Sequence, residues 1–335
     1  MKPQKGTKST KKFLVSIERS LMAFVFCAFC AFLWPVSAQT KGDPNKFAVI
    51  VNGAGGEAVY AKQFEEWTAQ LSSVLSSRYG FDTKQLTVLK AATAEDVKRT
   101  FTTLKTKLDA NNVLFVFLIG HGSFDGKESK FNLVGPDLSA SEYNVMLSAL
   151  PTHRVVIFNM SSASGEFIKS LSAKGRIVIT ATRSGQETNA TRFAGFLIAA
   201  LNATDADTDQ DGHVSVLEAF VYANRLTADF YKQAGRLATE HAMFDDNGDG
   251  VGREKLEAGE GLLARATYLD SLSVDEAAAS AATGRLLKER TRLEGEIEQL
   301  IARKGSMAEA EYEAMLERLF IDLAKVNRSI KQAGS

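Results

Sequence analysis

The sequence has almost no cysteine. The chain of 335 residues contains two, Cys27 and Cys30, and both lie in an N-terminal segment with the features of an export signal. If residues 1–38 are removed, no thiol remains, so the protein can be neither a cysteine-dependent enzyme nor a fold held together by disulfides. We therefore expect the fold to depend on a packed apolar core, and 45% hydrophobic residues are enough to form one.

The sequence also lacks an excess of positive charge. The full chain holds 40 basic and 40 acidic residues, and without residues 1–38 it holds 34 basic and 39 acidic ones, a net charge of −5. This balance provides no basic surface for nucleic acid or for an anionic membrane. We expect neither of them as a partner.

Residues 1–38 are typical of a secretory signal peptide. Basic residues precede the apolar segment Leu21–Leu33, and Val36-Ser37-Ala38 has the small side chains of a cleavage site. A membrane anchor is the alternative, but Pro35 interrupts the segment before it reaches the ~20 apolar residues that a span requires. We expect cleavage and export to the periplasm or the extracellular space.

Buried strands alternate with helices in the part that follows. The apolar runs Phe47–Val51, Val113–Ile119 and Val155–Phe158 are continuous, as is usual for parallel strands covered on both faces. Between the first two runs, apolar side chains recur at helical spacing. The pattern predicts an α/β fold with a mainly parallel sheet and helices on both faces.

Two of these strands end in polar loops. Val113–Ile119 is followed by a Gly-His-Gly sequence that contains His121, and Val155–Phe158 is followed by a serine-rich loop that contains Ser162. The carboxyl ends of parallel strands face one crevice. The sequence therefore predicts His121 and Ser162 in the same cleft.

These two motifs resemble those of the caspase and legumain class of cysteine peptidases. In that class a His-Gly follows one central strand and a Cys-x-Ser-Gly follows the next. Here His121-Gly122 and Ser162-Ala163-Ser164-Gly165 stand in these positions, with serine in place of the nucleophilic cysteine. The resemblance spans roughly residues 45 to 230 and implies a caspase-like α/β domain over 45–268. It also implies a degenerate His121–Ser162 dyad with the N–H of Gly122 in an oxyanion hole.

The resemblance extends to the loop that follows the strand at 176–181. In the family this segment helps to form the pocket for the leading side chain of the substrate. Arg183 and Glu187 would act there by charge, and a solvated loop is the alternative.

Three functions remain open. The missing thiol favours a non-catalytic pseudopeptidase whose cleft binds a peptide or protein, and in that case we expect Ser162→Ala to change stability little. A hydrolase that uses Ser162 with His121 as base is the alternative, although serine normally requires a base oriented by a third group. A nucleotide-binding protein is the third, but Lys90 stands where the dinucleotide motif beginning at Gly53 requires an acid.

The segment 207–218 has the spacing of an EF-hand or dockerin-like calcium loop. It has oxygen ligands at positions 1, 3, 5, 9 and 12, glycine at 6, valine at 8, and a backbone carbonyl available at 7. The predicted ligands are Asp207, Asp209, Asp211, His213, Ser215 and Glu218. We expect Ca²⁺ rather than Mg²⁺, in a structural role. A second acidic segment, 245–250, has Leu256 at position twelve and is either a partial site or an Asx-rich turn.

Residues 273–332 predict an antiparallel helical hairpin. Apolar residues repeat at heptad spacing on both sides of a break at Lys304-Gly305-Ser306. The hairpin either packs on the α/β domain or forms an exposed arm for self-association or for a partner helix. The narrow stripes and the dense flanking charges favour the arm.

Overall fold

A computed structural model describes residues 44–209, 213–256, 261–269 and 307–333, together with individual residues between 286 and 300. The predicted signal peptide, Asp211 and the start of the predicted hairpin lie outside the described residues. The elements follow one another as β1 (Lys46–Asn52), α1 (Ala58–Ser77), β2 (Leu86–Leu89), α2 (Ala94–Lys107), β3 (Val113–Ile119), β4 (Gly122–Phe124), β5 (Ser129–Phe131), β6 (Leu138–Ser139), α3 (Ala140–Ser148), β7 (Arg154–Asn159), α4 (Phe167–Leu171), β8 (Arg176–Thr180), α5 (Phe193–Asn202), α6 (Val216–Gln233), β9 (Met243–Asp245), α7 (Leu262–Arg265) and α8 (Glu309–Ala333).

The main sheet has six strands in the order β2-β1-β3-β7-β8-β9. All neighbours are parallel except β9, which runs antiparallel to β8. The predicted α/β fold with a mainly parallel sheet is confirmed. A smaller antiparallel sheet, β4-β5-β6, follows β3, and sequence analysis did not predict it as a sheet.

Helices cover both faces of the sheet. The helices α1, α5 and α6 pack on one face, and α2, α3 and α4 pack on the other. Every residue of β3 is buried, which explains its continuous apolar sequence: its side chains alternate between two cores rather than between core and water. This arrangement fixes β3 and β7 at the centre and holds their carboxyl ends side by side.

Two of the helices, α2 and α3, begin with capping boxes. Thr93 and Ser139 each accept a hydrogen bond from the backbone three residues ahead, and Asp96 and Glu142 return one. Each such cap contributes about 1 kcal/mol. None of the helices in the described ranges is long and apolar enough to span a membrane.

The described residues of the C-terminal helices are joined to the α/β domain at Tyr268. The stripe Leu293, Ile297 and Leu300 is buried. Arg290, also buried, donates a hydrogen bond to the hydroxyl of Tyr268, and its guanidinium lies 5.9 Å from the centre of that ring. The contact between Arg290 and Tyr268 joins the predicted hairpin to the end of the α/β domain, and the arm for self-association or for a partner helix stays a prediction.

Candidate functional site

The two polar loops meet at the carboxyl edge of the sheet. Strands β3 and β7 are neighbours, with Leu118 opposite Asn159, so the loops that leave them start side by side. Gly122 lies so close to the second loop that a Cβ atom on it would be 2.3 Å from the carbonyl oxygen of Ser162. The predicted proximity of the two loops is therefore present, and their contact requires glycine at 122.

The hydroxyl of Ser162 is bonded to the backbone of Gly122 in both directions. Its Oγ accepts a hydrogen bond from the Gly122 N–H at 3.1 Å and donates one to the Gly122 carbonyl, also at 3.1 Å. Only 2% of Ser162 is exposed. The hydroxyl at the predicted nucleophile position and the N–H expected in the oxyanion hole are therefore hydrogen-bonded to each other.

The ring of His121 packs against aromatic side chains of α1. It meets Tyr60 and Phe64 edge-on, at centroid distances of 4.9 and 5.0 Å. Burial lowers the pKa of His121, while a hydrogen bond with the backbone of Gly55 and the charge of Glu57 act in the opposite direction. Within the described chain, His121 and Ser162 share no hydrogen bond.

The rest of the serine-rich loop is held from inside the protein. Ser161 donates to the side-chain oxygen of Asn159 at 2.7 Å, and the Ser164 hydroxyl lies 3.1 Å from that of Thr182. All of these side chains are fully buried. Their hydroxyl groups hold the loop by internal hydrogen bonds and are not exposed to solvent.

The loop after β8 is tied to a segment that precedes β9. The carboxylate of Glu187 accepts hydrogen bonds from the backbone N–H groups of Arg183 and His241, and its Oε1 lies 2.5 Å from Nδ1 of His241. Arg183 forms a half-exposed ion pair with Glu254 at 3.0 Å. Of the two predicted pocket residues, Glu187 is therefore engaged within the protein and Arg183 lies at the rim.

Sequence analysis missed two residues of this edge, Glu240 and His241. Glu240 is 2% exposed, and its carboxylate accepts hydrogen bonds from the N–H groups of Arg192 and Phe193 at the start of α5. Burial raises the pKa of Glu240, and these hydrogen bonds oppose the shift. The only sequence signal was a pair of polar residues before a very short apolar strand, which is too common to single out a site.

The predicted calcium loop brings its described carboxylates together. Ligand oxygens of Asp207, Asp209 and Glu218 all lie within 4.8 Å of one another. Ser215 is buried and caps α6, and the ring of His213 lies edge-on to Tyr268 with the centroids 6.0 Å apart. Asp211, the remaining predicted ligand, lies outside the described residues.

This donor set fits a hard divalent cation. Carboxylate oxygens are the ligands that Ca²⁺ prefers, and position twelve of such a loop commonly binds with both oxygens. Glu218 extends across the loop: its Oε1 accepts from the Thr208 N–H at 2.8 Å, and its Oε2 accepts from the Ser215 N–H at 2.9 Å. The carboxylate is thus already placed between the two ends of the loop.

The second acidic segment uses its carboxylates differently. Asp245 is buried and accepts hydrogen bonds from the N–H groups of Gly248 and Gly250, as in an Asx-rich turn. Asp249 forms an ion pair with Arg253 at 2.8 Å. These contacts favour the turn interpretation over a second metal site.

Comparisons with known proteins add little. No family model matches the sequence, and no curated protein matches it. The solved structure of protein GSU0716 from Geobacter sulfurreducens is similar over 60% of this chain and 93% of that chain, at 14% sequence identity and a TM-score of 0.42. A likeness at this level supports no argument about function.

Proposed function

We propose that this protein is an exported calcium-binding module with a caspase- or legumain-like α/β domain, which binds a peptide or protein in its strand-end cleft without cleaving it. The observation that carries the proposal is the convergence of Asp207, Asp209 and Glu218 within 4.8 Å in a loop of EF-hand spacing. Outside the cell, where calcium is plentiful, such a loop stabilises the fold around it.

The non-catalytic part of the proposal is supported by the cleft. A serine nucleophile needs a base within hydrogen-bond reach. Ser162 instead donates to the carbonyl of Gly122, and His121 packs on aromatic rings. Both groups would have to leave these partners before a proton could pass between them. The hydrolase remains the second candidate, because the two loops do meet at one edge.

Calorimetric titration of the purified protein with Ca²⁺ tests the metal site. We expect one binding event, and a thermal midpoint about 5 °C higher when Ca²⁺ is present at a hundred times its Kd, because a cation that binds only the native state stabilises it by mass action. Glu218→Gln should abolish most of this gain. Asp229→Asn, which removes the same charge farther along α6, is the matched control and should retain it.

The same preparation distinguishes the two candidates for the cleft. A serine-reactive fluorophosphonate probe should leave the wild-type protein unlabelled. Labelling that disappears in Ser162→Ala would establish the hydrolase instead.

The calcium site has its own contrary outcome. If calorimetry shows no heat of Ca²⁺ binding and EDTA leaves the thermal midpoint unchanged, the loop 207–218 is only a turn.

A further inference from the structure

A cavity of about 350 Å³ separates the calcium loop from the C-terminal helices. Its apolar wall combines Leu217 and Val221 of α6 with Ile297, Phe320 and Leu323 of the C-terminal helices. Its polar wall includes two of the clustered carboxylates, those of Asp209 and Glu218. Thr208 of the loop, Leu256 and Arg265 of α7 complete the lining. Apolar side chains of the hairpin therefore face residues that belong to the predicted metal site.

The backbone joins the same two regions. Val216 at the start of α6 donates a hydrogen bond to the carbonyl of Thr267 at 2.8 Å, and Ser215 forms an isolated β-bridge with Tyr268. The hydroxyl of Tyr268 accepts the hydrogen bond from Arg290 of the C-terminal helices. The exit of the calcium loop is thus connected to the hairpin through one short segment.

We infer that the C-terminal helices are a calcium-dependent docking element: cation binding in the loop tightens their packing over this cavity. The inference rests on the proposed function, because it requires the loop to bind Ca²⁺. It goes beyond a structural role for the ion, since the hairpin would be fixed or loosened according to the occupancy of the loop.

The reason is electrostatic. Packing Phe320 and Leu323 more closely against the carboxylates of Asp209 and Glu218 removes water from ionised groups, which is unfavourable unless the charge is compensated. Arg265 also lines the cavity and brings one positive charge to it. A bound divalent cation compensates much more and draws the carboxylates toward the loop, so the apolar side chains can close the cavity.

Thermodynamic linkage makes the effect reciprocal. If calcium favours docking by some factor, docking must raise calcium affinity by the same factor. The apolar side chains that line the cavity should therefore influence calcium binding although none of them is a ligand. Helices that only covered the core would have no such effect on calcium affinity.

Hydrogen exchange of the full chain, with Ca²⁺ and with EDTA, is the direct test. We expect amides of α8 to exchange about tenfold more slowly with Ca²⁺, within the usual range of coupling between sites. Calorimetry on Phe320→Asp should show calcium affinity reduced by about the same factor, and Phe320→Ala should show a smaller loss of the same sign.

Ile321→Asp is the matched control. Ile321 and Phe320 are similarly exposed, at 48% and 51%, and adjacent on α8, but only Phe320 lines the cavity. Both variants add a negative charge to the same turn of α8, but only Phe320→Asp removes a side chain that lines the cavity. We therefore expect Ile321→Asp to keep wild-type calcium affinity. Unchanged affinity in Phe320→Asp, or exchange of α8 that is indifferent to bound calcium, would overturn the inference and leave the proposed function standing. Absence of calcium binding in the wild type would overturn both.

Discussion

The strand-end cleft and the calcium loop contrast in what their polar groups do. In the cleft, the hydroxyl of Ser162 and both backbone groups of Gly122 bond to each other, and the side chains around them are buried. In the loop, Asp207, Asp209 and Glu218 bring like charges within 4.8 Å of one another. In the cleft, neutral groups satisfy one another. In the loop, Glu218 also accepts hydrogen bonds from Thr208 and Ser215, but three carboxylates stand together, and a bound cation would offset their charge.

The resemblance to a peptidase and the proposed function therefore rest on different parts of the molecule. The motifs at His121 and Ser162 are those that suggest a peptidase, yet their atoms are arranged as structural contacts. Like charges brought together in the loop lower stability unless a cation compensates them. The proposed function therefore rests on the calcium loop, and the cleft enters it only as the proposed binding surface for a peptide or protein.

The largest expected effect tests the contact between the two cleft loops. Gly122→Ala would place a Cβ atom 2.3 Å from the Ser162 carbonyl and 2.8 Å from the Ser161 hydroxyl. Because the first of these is backbone, it cannot move aside, and we expect a loss of about 3 kcal/mol in unfolding free energy measured by urea denaturation. Gly235→Ala is the control: it has open space but φ is +61°, so it should cost about 1 kcal/mol. Equal losses in the two variants would show that the loops are not in contact.

A smaller effect tests whether Ser162 is a structural residue. Ser162→Ala leaves the half-buried N–H and carbonyl of Gly122 without this partner, which costs roughly 1 kcal/mol. The sequence alone predicted little change in stability, because it did not reveal these two hydrogen bonds. Ser162→Cys keeps a weak donor and acceptor and should fall between the wild type and Ser162→Ala in the same denaturation experiment. A Ser162→Ala variant as stable as the wild type would restore the earlier expectation and weaken the contrast between the regions.

The parts that sequence predicted well are those set by local rules. The continuous apolar runs of β1, β3 and β7 depend only on neighbouring residues and on burial. The spacing of the calcium loop is also local, and it identified Asp207, Asp209 and Glu218 before their proximity was known.

Contacts between segments that are distant in the chain could not be predicted from the sequence. The pairing of Glu187 with His241 joins residues 54 positions apart. The choice of Gly122 as the partner of Ser162 depends on the way two loops meet, and a serine near a histidine gives the same pattern whether or not the side chains are bonded. The packing of Ile297 near α6 depends on tertiary structure in the same way.

The smallest expected effect concerns His121 and is read as a pH dependence. Burial lowers its pKa below the ordinary value of 6.5, so the folded state binds this proton less readily than the unfolded state does. Its contribution to stability is then complete above pH 6.5 and decreases as the pH falls below that value. His121→Phe keeps an aromatic ring beside Tyr60 and Phe64 and removes the titration.

The measurement is the difference in unfolding free energy between wild type and His121→Phe from pH 8 to pH 5. Taking the difference cancels the opposite trend expected from Glu240, whose raised pKa makes stability decrease as the pH rises above 4.5. The wild type should lose stability relative to His121→Phe on acidification, while exposed His153→Gln should follow the wild type. A His121 that becomes charged more readily in the folded protein would give the opposite slope, and it would indicate an acidic partner in the cleft of the kind that a catalytic histidine requires.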